Sequence, residues 1–177
     1  MERKIGRANV QQAFVFSMVM DYAKPDSKIL SVGCYEDTAY EALQKLSIPV
    51  IGIDPLLNTS LSTFFKLTHD KFDIIFSTSV IEHVQDDEEF ITQICGLLKP
   101  NGIAILTCDF RNDYIKGDPK PGEDARLYTE YDLCVRLNKV LEANGCKMFG
   151  EVNYSGEPDF WYGMFHYSFG TFCFIKN

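Results

Sequence analysis

The fold is decided by residues 72–107, which read FDIIFSTSVIEHVQDDEEFITQICGLLKPNGIAILT. They begin with the run Phe72–Phe76, which is too apolar for either face of a strand to meet water. A group of acids, Asp86–Glu89, then opens a helix whose apolar residues recur at helical spacing. A turn at residues 100–102 leads into another apolar strand, Ile103–Thr107. This order predicts a βαβ unit with parallel strands.

The same alternation extends in both directions from this unit. Toward the amino terminus it predicts a helix over residues 8–23, a strand at Lys28–Val32, a helix from Thr38, a strand at Pro49–Ile53 and a short strand at Ser60–Phe65. Toward the carboxyl terminus it predicts a polar loop at Asp109–Ala125, a helix at Thr129–Ala143 and strands at Lys147–Val152 and Tyr167–Ile175, joined by an aromatic loop (Phe160, Trp161, Tyr162, Phe165). The pattern indicates an α/β fold: a mostly parallel sheet with both faces covered and an antiparallel C-terminal hairpin at one edge.

Length and composition indicate one globular domain spanning residues 1–177, since the chain has 177 residues and shows no repeat or linker. The 17 basic and 25 acidic residues give a net charge of −8, which disfavours binding to nucleic acid or to an anionic membrane surface. No apolar run is long enough to cross a bilayer, so we expect a soluble, cytoplasmic protein. The 6 cysteines include no C-x-x-C pair, and we predict no metal site.

Ligands of open α/β sheets bind beyond the carboxyl ends of the strands. Gly33 ends the first predicted strand, and Asp54 ends the second. An acid about 20 residues after the first glycine is the ribose ligand of nucleoside-binding folds, because a carboxylate accepts strong hydrogen bonds from two hydroxyls. The alternative is that Asp54 only starts a turn before Pro55.

The turn after Gly33 is unsuited to phosphates. A dinucleotide site needs glycines where this chain has Tyr35 and Thr38, and Glu36 and Asp37 would repel a pyrophosphate. S-adenosylmethionine carries an ammonium and a sulfonium, which these acids would attract. The alternative is that the two acids cap a helix or are solvated.

With these motifs in order, the chain resembles the Rossmann-like (class I) S-adenosylmethionine-dependent methyltransferases. The stretches ILSVGC (29–34), VIGIDP (50–55) and residues 72–107 carry the resemblance over about residues 28–110. It implies a three-layer fold with an N-terminal helix (1–25), a cofactor-binding half (28–110) and an acceptor-side half (111–177). The implied S-adenosylmethionine contacts are Gly33, Cys34, Tyr35, Asp37, Asp54, Pro55, Ser77, Thr78 and Ser79.

The chain departs from the family in several places. Ser31 stands where the family has an acid, and Tyr35 and Asp37 stand where it has glycines. Between Asp54 and Phe72 there is too little chain for the family's usual helix, strand and adenine-contacting acid. We therefore expect the second helix to be missing, and we hypothesise that Glu36 or Asp37 replaces the lost acid.

Methyl transfer to a hydroxyl needs a base, and the candidates are His83 and Asp109, ahead of His166 and His69. Arg111, Arg126, Tyr128 and His166 are candidate contacts of a small-molecule acceptor, although both arginines could instead form surface ion pairs. The aromatic residues 160–167 could hold a sugar or another flat acceptor, pack in the core or form a homodimer interface.

These residues leave three functions open. The first is a methyltransferase acting on a small molecule, with a sugar or sugar-nucleotide as the expected acceptor. The second is a methyltransferase-fold protein that binds a ligand without catalysis, and the third is another nucleotide-dependent Rossmann-like enzyme.

Overall fold

Strands and helices alternate along residues 9–150, 153–154 and 156–177, the part of the chain that this computed structural model describes. The strands are β1 (Ile29–Val32), β2 (Val50–Ile53), β3 (Phe72–Thr78), β4 (Leu98–Phe110), β5 (Cys146–Met148), β6 (Phe160–Tyr162) and β7 (Phe165–Lys176). The α-helices are α1 (Asn9–Tyr22), α2 (Thr38–Lys45), α3 (Leu61–Leu67), α4 (Asp87–Leu97) and α5 (Leu137–Ala143), with a 3-10 turn at Ile81–His83 and a π-helical turn at Asp132–Arg136. None of these helices is both long and apolar enough to cross a membrane.

The strands form one sheet in the order β2-β1-β3-β4-β7-β5, and β6 pairs with β7. Strands β2, β1, β3 and β4 are parallel to one another, whereas β7 runs antiparallel to both β4 and β5. The predicted α/β class, with a mostly parallel sheet and an antiparallel C-terminal edge, is therefore confirmed.

Two apolar cores lie on opposite faces of the sheet, because successive strand side chains point to opposite sides. On one face Val15 and Val19 of α1 and Leu43 of α2 pack against Ile74 and Phe76 of β3. The other face is covered by α3, α4 and α5, which contribute residues such as Leu61, Phe90, Ile94 and Leu137. The sheet is buried on both sides, as the apolar run Phe72–Phe76 requires.

The predicted strand at Ser60–Phe65 is wrong, because Leu61–Leu67 form the helix α3. Ser60 accepts a hydrogen bond from the Thr63 N–H at 3.2 Å and so caps the N-terminus of α3. The Phe65 ring lies against Gly96 of α4, where an added Cβ would come within 2.7 Å of Phe65 Cε2. Local capping and this contact outweigh the strand propensity of the two phenylalanines. The expectation of a missing second helix is also wrong, because α3 occupies that place.

The predicted aromatic loop is a hairpin. Phe160–Tyr162 pair with Phe165–Tyr167 around a turn in which Gly163 has a φ of 60°. Aromatic residues favour extended strands, and the glycine accepts the turn without strain. Residue 8, at the start of the first predicted helix, and Val152, at the end of the predicted strand after α5, lie outside the described residues.

A buried carboxylate connects the start of α4 to residues 126–136, which follow the long loop after β4. Asp87 accepts hydrogen bonds from Arg136 at 2.7 and 3.0 Å and from the Tyr128 hydroxyl at 2.8 Å, and it forms an ion pair with Arg126 at 2.9 Å. Asp87 is 3% exposed, so these partners replace the water that its charge would otherwise need.

Replacing Asp87 with Ala is expected to lower the free energy of unfolding by about 3 kcal/mol, because Arg126 and Arg136 would lose the buried carboxylate that they share, leaving Arg136 with the more exposed Asp132 and Glu88. The matched variant is Asp86→Ala, which removes only the cap that accepts from the Glu89 N–H and should cost about 1 kcal/mol. Urea unfolding of both variants measures the difference. An equal decrease in the free energy of unfolding of the two variants would contradict the role of Asp87 as the shared partner of Arg126, Tyr128 and Arg136.

Candidate functional site

A cavity of about 600 Å³ opens at the carboxyl ends of β1, β2 and β3, where ligands of open α/β sheets bind. Its walls come from the turns after these strands, from the first residues of α1 and α3, and from α4. The volume lies within the range of small-molecule and cofactor sites.

Gly33 brings the turns after β1 and β3 together. It has a φ of 81°, and an added Cβ would lie only 2.3 Å from Val80 Cγ2. Its N–H donates to the Ile53 carbonyl at 2.8 Å, which ties the end of β1 to the end of β2. Glycine is therefore required both by the left-handed backbone and by the lack of space.

Asp54 is a buried carboxylate on the cavity wall, 8% exposed. One oxygen accepts from the Leu56 N–H at 2.8 Å, and the other accepts from the Tyr35 N–H at 3.2 Å. Each carboxylate oxygen can accept two hydrogen bonds, so this arrangement orients the group and leaves acceptor capacity for a ligand.

Nine of the residues named from the sequence line this cavity: Gly33, Tyr35, Glu36, Asp37, Asp54, Pro55, Thr78, Ser79 and His83. Thr78 is 6% exposed, and its hydroxyl has no hydrogen-bond partner among the described residues. A buried hydroxyl on a cavity wall fits a ligand that carries polar groups.

Other predicted residues lie outside the lining. The Ser77 hydroxyl donates to the Val32 carbonyl at 2.9 Å, and Cys34 is buried beside Gly52. Asp109 is buried behind His83, where Tyr167 donates a hydrogen bond to it.

The predicted acceptor contacts also lie outside the lining. Arg111 pairs with Asp118 at 2.8 Å and with Asp113 at 3.0 Å, and the His166 ring stacks on Trp161 with 4.1 Å between centroids. Arg126 and Tyr128 bind Asp87, as described above. The acceptor-binding role of these four side chains stays a prediction that the geometry does not favour.

His83 lies on the cavity wall and is held from behind. Its Nδ1 is 3.1 Å from the Asp124 carboxylate and 3.3 Å from the Glu123 carbonyl. The hydrogen bond to Asp124 raises the pKa of His83 to about 9, although burial opposes the charge. A proton on Nδ1 satisfies Asp124, so Nε2 is the nitrogen left to exchange a proton with a ligand.

Three buried acids lie close together behind His83. Glu82, Asp109 and Asp124 are 1%, 7% and 5% exposed. Burial, followed by the charge of Asp124, raises the pKa of Asp109 to about 7. Burial and the charge of Asp109 raise the pKa of Glu82 well above its ordinary value. Like charges this close cannot all ionise, so the cluster keeps protons at neutral pH.

Sequence reasoning missed two walls of the cavity. One is the start of α1, with Asn9, Gln11 and Gln12, and the other is formed by Leu61 of α3 and Phe90 of α4. In the sequence, Phe90 looks like any other apolar residue at helical spacing in α4, and nothing marks it as part of a ligand site. For Gln11 a signal exists, because it stands four residues before Val15 on the buried side of α1.

Comparison with known proteins shows which family has this fold and site. A methyltransferase domain family matches residues 7–150 of the chain. The chain belongs to the methyltransferase domain family. The predicted membership among S-adenosylmethionine-dependent methyltransferases is confirmed, and S-adenosylmethionine is the methyl donor of that family.

Individual relatives share less than a third of their residues with this methyltransferase domain over most of its length. A ubiquinone biosynthesis O-methyltransferase from Bartonella bacilliformis is 29% identical over 162 residues, which cover 74% of this chain and 64% of that protein. The chain thus spans less than two thirds of the length of such relatives.

Solved structures share the fold. The magnesium protoporphyrin IX methyltransferase from Synechocystis with bound SAH has a TM-score of 0.57 at 15% identity and covers 97% of this chain and 84% of its own. An amino pentose methyltransferase from Micromonospora echinaspora with bound SAM has a TM-score of 0.56 at 14% identity and covers 96% and 92%.

Between pH 6.5 and 9 we expect the methyltransferase domain to lose stability as the pH rises. The folded chain binds the proton of His83 more tightly than the unfolded chain, whose histidine pKa is about 6.5. This contribution is complete below pH 6.5 and is lost as the pH passes about 9.

The loss is expected to be about 1 kcal/mol, because solvent screens a half-exposed ring. Urea unfolding of His83→Gln should show a flatter profile in this window, whereas His69→Gln, at an exposed histidine, should follow the wild type. A slope unchanged by His83→Gln would show that the pairing with Asp124 does not control it.

Proposed function

We propose that this chain transfers a methyl group from S-adenosylmethionine to a hydroxyl group of a small aromatic molecule. The observation that carries the proposal is the cavity itself, which places the oriented carboxylate of Asp54 and the ring of His83 on one surface. Family membership supports the methyl donor, and the O-methyltransferase relative supports an oxygen acceptor.

The walls of the cavity match the parts of this donor. Asp54 has acceptor capacity for the two ribose hydroxyls, next to the apolar side chains of Leu61 and Phe90, which suit a flat adenine ring. When bound, S-adenosylmethionine supplies a methyl group on a positively charged sulfur.

Phosphate-bearing ligands fit this cavity poorly. No lysine or arginine is among the described residues that line it, whereas Asp54, Asp86 and Glu89 are. This distribution of charge weighs against a nicotinamide dinucleotide and against a sugar-nucleotide acceptor.

His83 is the residue that we propose as the base. Because Asp124 holds Nδ1, Nε2 can accept the proton that an acceptor hydroxyl releases as its oxygen attacks the methyl carbon. A phenol has a pKa of about 10, close to that of His83, whereas a sugar hydroxyl is far less acidic. This match favours a phenolic acceptor over the sugar expected from the sequence. Because one structural neighbour is an amino pentose methyltransferase, sugars are also to be tested as acceptors.

The proton is proposed to stay on His83 after transfer. The Asp124 carboxylate, 3.1 Å from Nδ1, stabilises the resulting imidazolium, while the raised pKa values of Asp109 and Glu82 let these two acids keep their own protons. The predicted cytoplasmic location, the homodimer and the lack of nucleic-acid binding stay predictions.

Asp54→Asn is expected to weaken binding of S-adenosylhomocysteine roughly tenfold to a hundredfold, because a neutral amide replaces charge-assisted bonds to the ribose. Isothermal titration measures the change. Asp70→Asn is the control, since that exposed carboxylate pairs with Lys28 away from the cavity. Wild-type affinity in Asp54→Asn would overturn the ribose assignment, and wild-type chain that responds to NAD alone would overturn the methyltransferase proposal.

His83→Gln is expected to lower kcat roughly a hundredfold while S-adenosylhomocysteine binds almost as before. The assay follows transfer of a labelled methyl group to a panel of phenols and amino sugars. In the wild-type enzyme kcat/KM should rise with pH up to about 9, where Nε2 becomes free to accept a proton. Donor binding without transfer to any acceptor would instead support the non-catalytic alternative.

A further inference from the structure

Gln11 is a polar residue in an apolar position. The buried residues of α1 are Gln11, Val15 and Val19, which follow one another at a spacing of four along one side of the helix. Both valines pack in the core between α1 and the sheet. Gln11 is as enclosed as they are, with 3% of its surface exposed, yet it carries an amide.

The carbonyl oxygen of the Gln11 amide has no hydrogen-bond donor beside it in the described part of the chain. This Oε1 is buried and accepts no hydrogen bond within the described part of the chain, and the same is true of Oε1 of the neighbouring Gln12. Desolvating a carbonyl oxygen without a partner destabilises a protein, and native structures contain few such groups. Two of them in adjacent residues therefore need an explanation.

Both glutamines lie on the wall of the cavity. The buried stripe of α1 therefore begins at the cavity, where Gln11 lies, and continues into the apolar core with Val15 and Val19. Val15 and Val19 pack with Leu43 of α2 in the core and so hold α1 in place. This packing also fixes the position of the Gln11 amide. The unpartnered oxygens are then acceptors held ready for a ligand that donates hydrogen bonds.

The opposite walls of the cavity indicate which part of the ligand this is. Leu61 and Phe90, on the far face of the sheet, provide apolar contact, whereas α1 provides amides beside the acidic turn after β1. The proposed donor has a flat, weakly polar adenine at one end and an amino acid at the other. The adenine therefore suits the apolar wall, and the polar amino-acid end suits the amides of α1.

We propose that Oε1 of Gln11, assisted by Gln12, accepts a hydrogen bond from the α-ammonium group of the methionyl part of S-adenosylmethionine. The inference rests on the proposed function and deepens it by giving α1 a role in recognising the donor. A carbonyl oxygen forms a stronger hydrogen bond with a cationic donor than with a neutral one. An ammonium group with several N–H donors can therefore bind both glutamine oxygens more strongly than a hydroxyl can.

The test compares two ligands on Gln11→Met, a variant of similar shape that lacks the amide. S-adenosylhomocysteine has the amino-acid end, whereas 5′-methylthioadenosine has the same adenosyl thioether without it. By isothermal titration, Gln11→Met should bind S-adenosylhomocysteine about tenfold more weakly or worse and bind methylthioadenosine as the wild type does. Equal affinities of wild type and variant for S-adenosylhomocysteine, or equal losses for both ligands, would overturn the assignment.

A second measurement separates binding from a structural role. Gln11→Met removes an unsatisfied buried oxygen, so the melting temperature of the free protein should rise by about 2 °C or more. The rise caused by saturating S-adenosylhomocysteine should be smaller in the variant than in the wild type. A glutamine that only supports the fold would give the opposite result, with a lower melting temperature for the free variant.

Gln93→Met is the matched control. Gln93 is also buried on the cavity wall, at 6% exposure, but its amide already donates to Glu89 Oε1 at 2.8 Å. This variant should not raise the melting temperature or discriminate between the two ligands. Wild-type chain that binds neither ligand would refute the proposed function, whereas normal binding with no effect of Gln11→Met would refute the role of Gln11 alone.

Discussion

The contact between Gly33 and Val80 is the constraint on which the site depends. The turns after β1 and β3 approach so closely there that any side chain on residue 33 would overlap Val80. The same turn carries the Tyr35 N–H to the carboxylate of Asp54, which orients that group on the cavity wall. The close approach of these two turns consequently determines where the cavity wall lies at this end of the sheet.

Features with a local cause could be predicted from the sequence. The run Phe72–Phe76 is buried because it has no polar face, and Asp86 caps α4 because a short acid before a helix accepts a free N–H. Gly33 and Asp54 could be paired from their spacing alone, since parallel strands end at one edge of a sheet. The βαβ arrangement and the part of the cavity wall formed by the turns after β1, β2 and β3 follow from such short-range rules.

Features that depend on distant partners could not be predicted. Arg126 and Tyr128 have the right chemistry for an acceptor site, but Asp87 lies close enough to bind them, and nothing in residue type reveals that. The helix α3 can pack closely on α4 because Gly96, about thirty positions along the chain, leaves space for Phe65. The part played by α1 likewise depends on which end of the helix borders the cavity, and the helical pattern alone does not reveal that.

The segment that follows β4 influences the cavity without lining it. Its two ends lie side by side, since the Tyr128 N–H donates to the Asp109 carbonyl at 2.9 Å. The segment is also joined to the turn after β3, since the Ala125 N–H donates to the Glu82 carbonyl at 2.7 Å. Asp124 is carried by this segment, so any detachment of the backbone there would take the counter-ion away from His83 and release a proton. The imidazole resonances of His83 in an NMR spectrum consequently report the attachment of a stretch of chain that never touches the ligand.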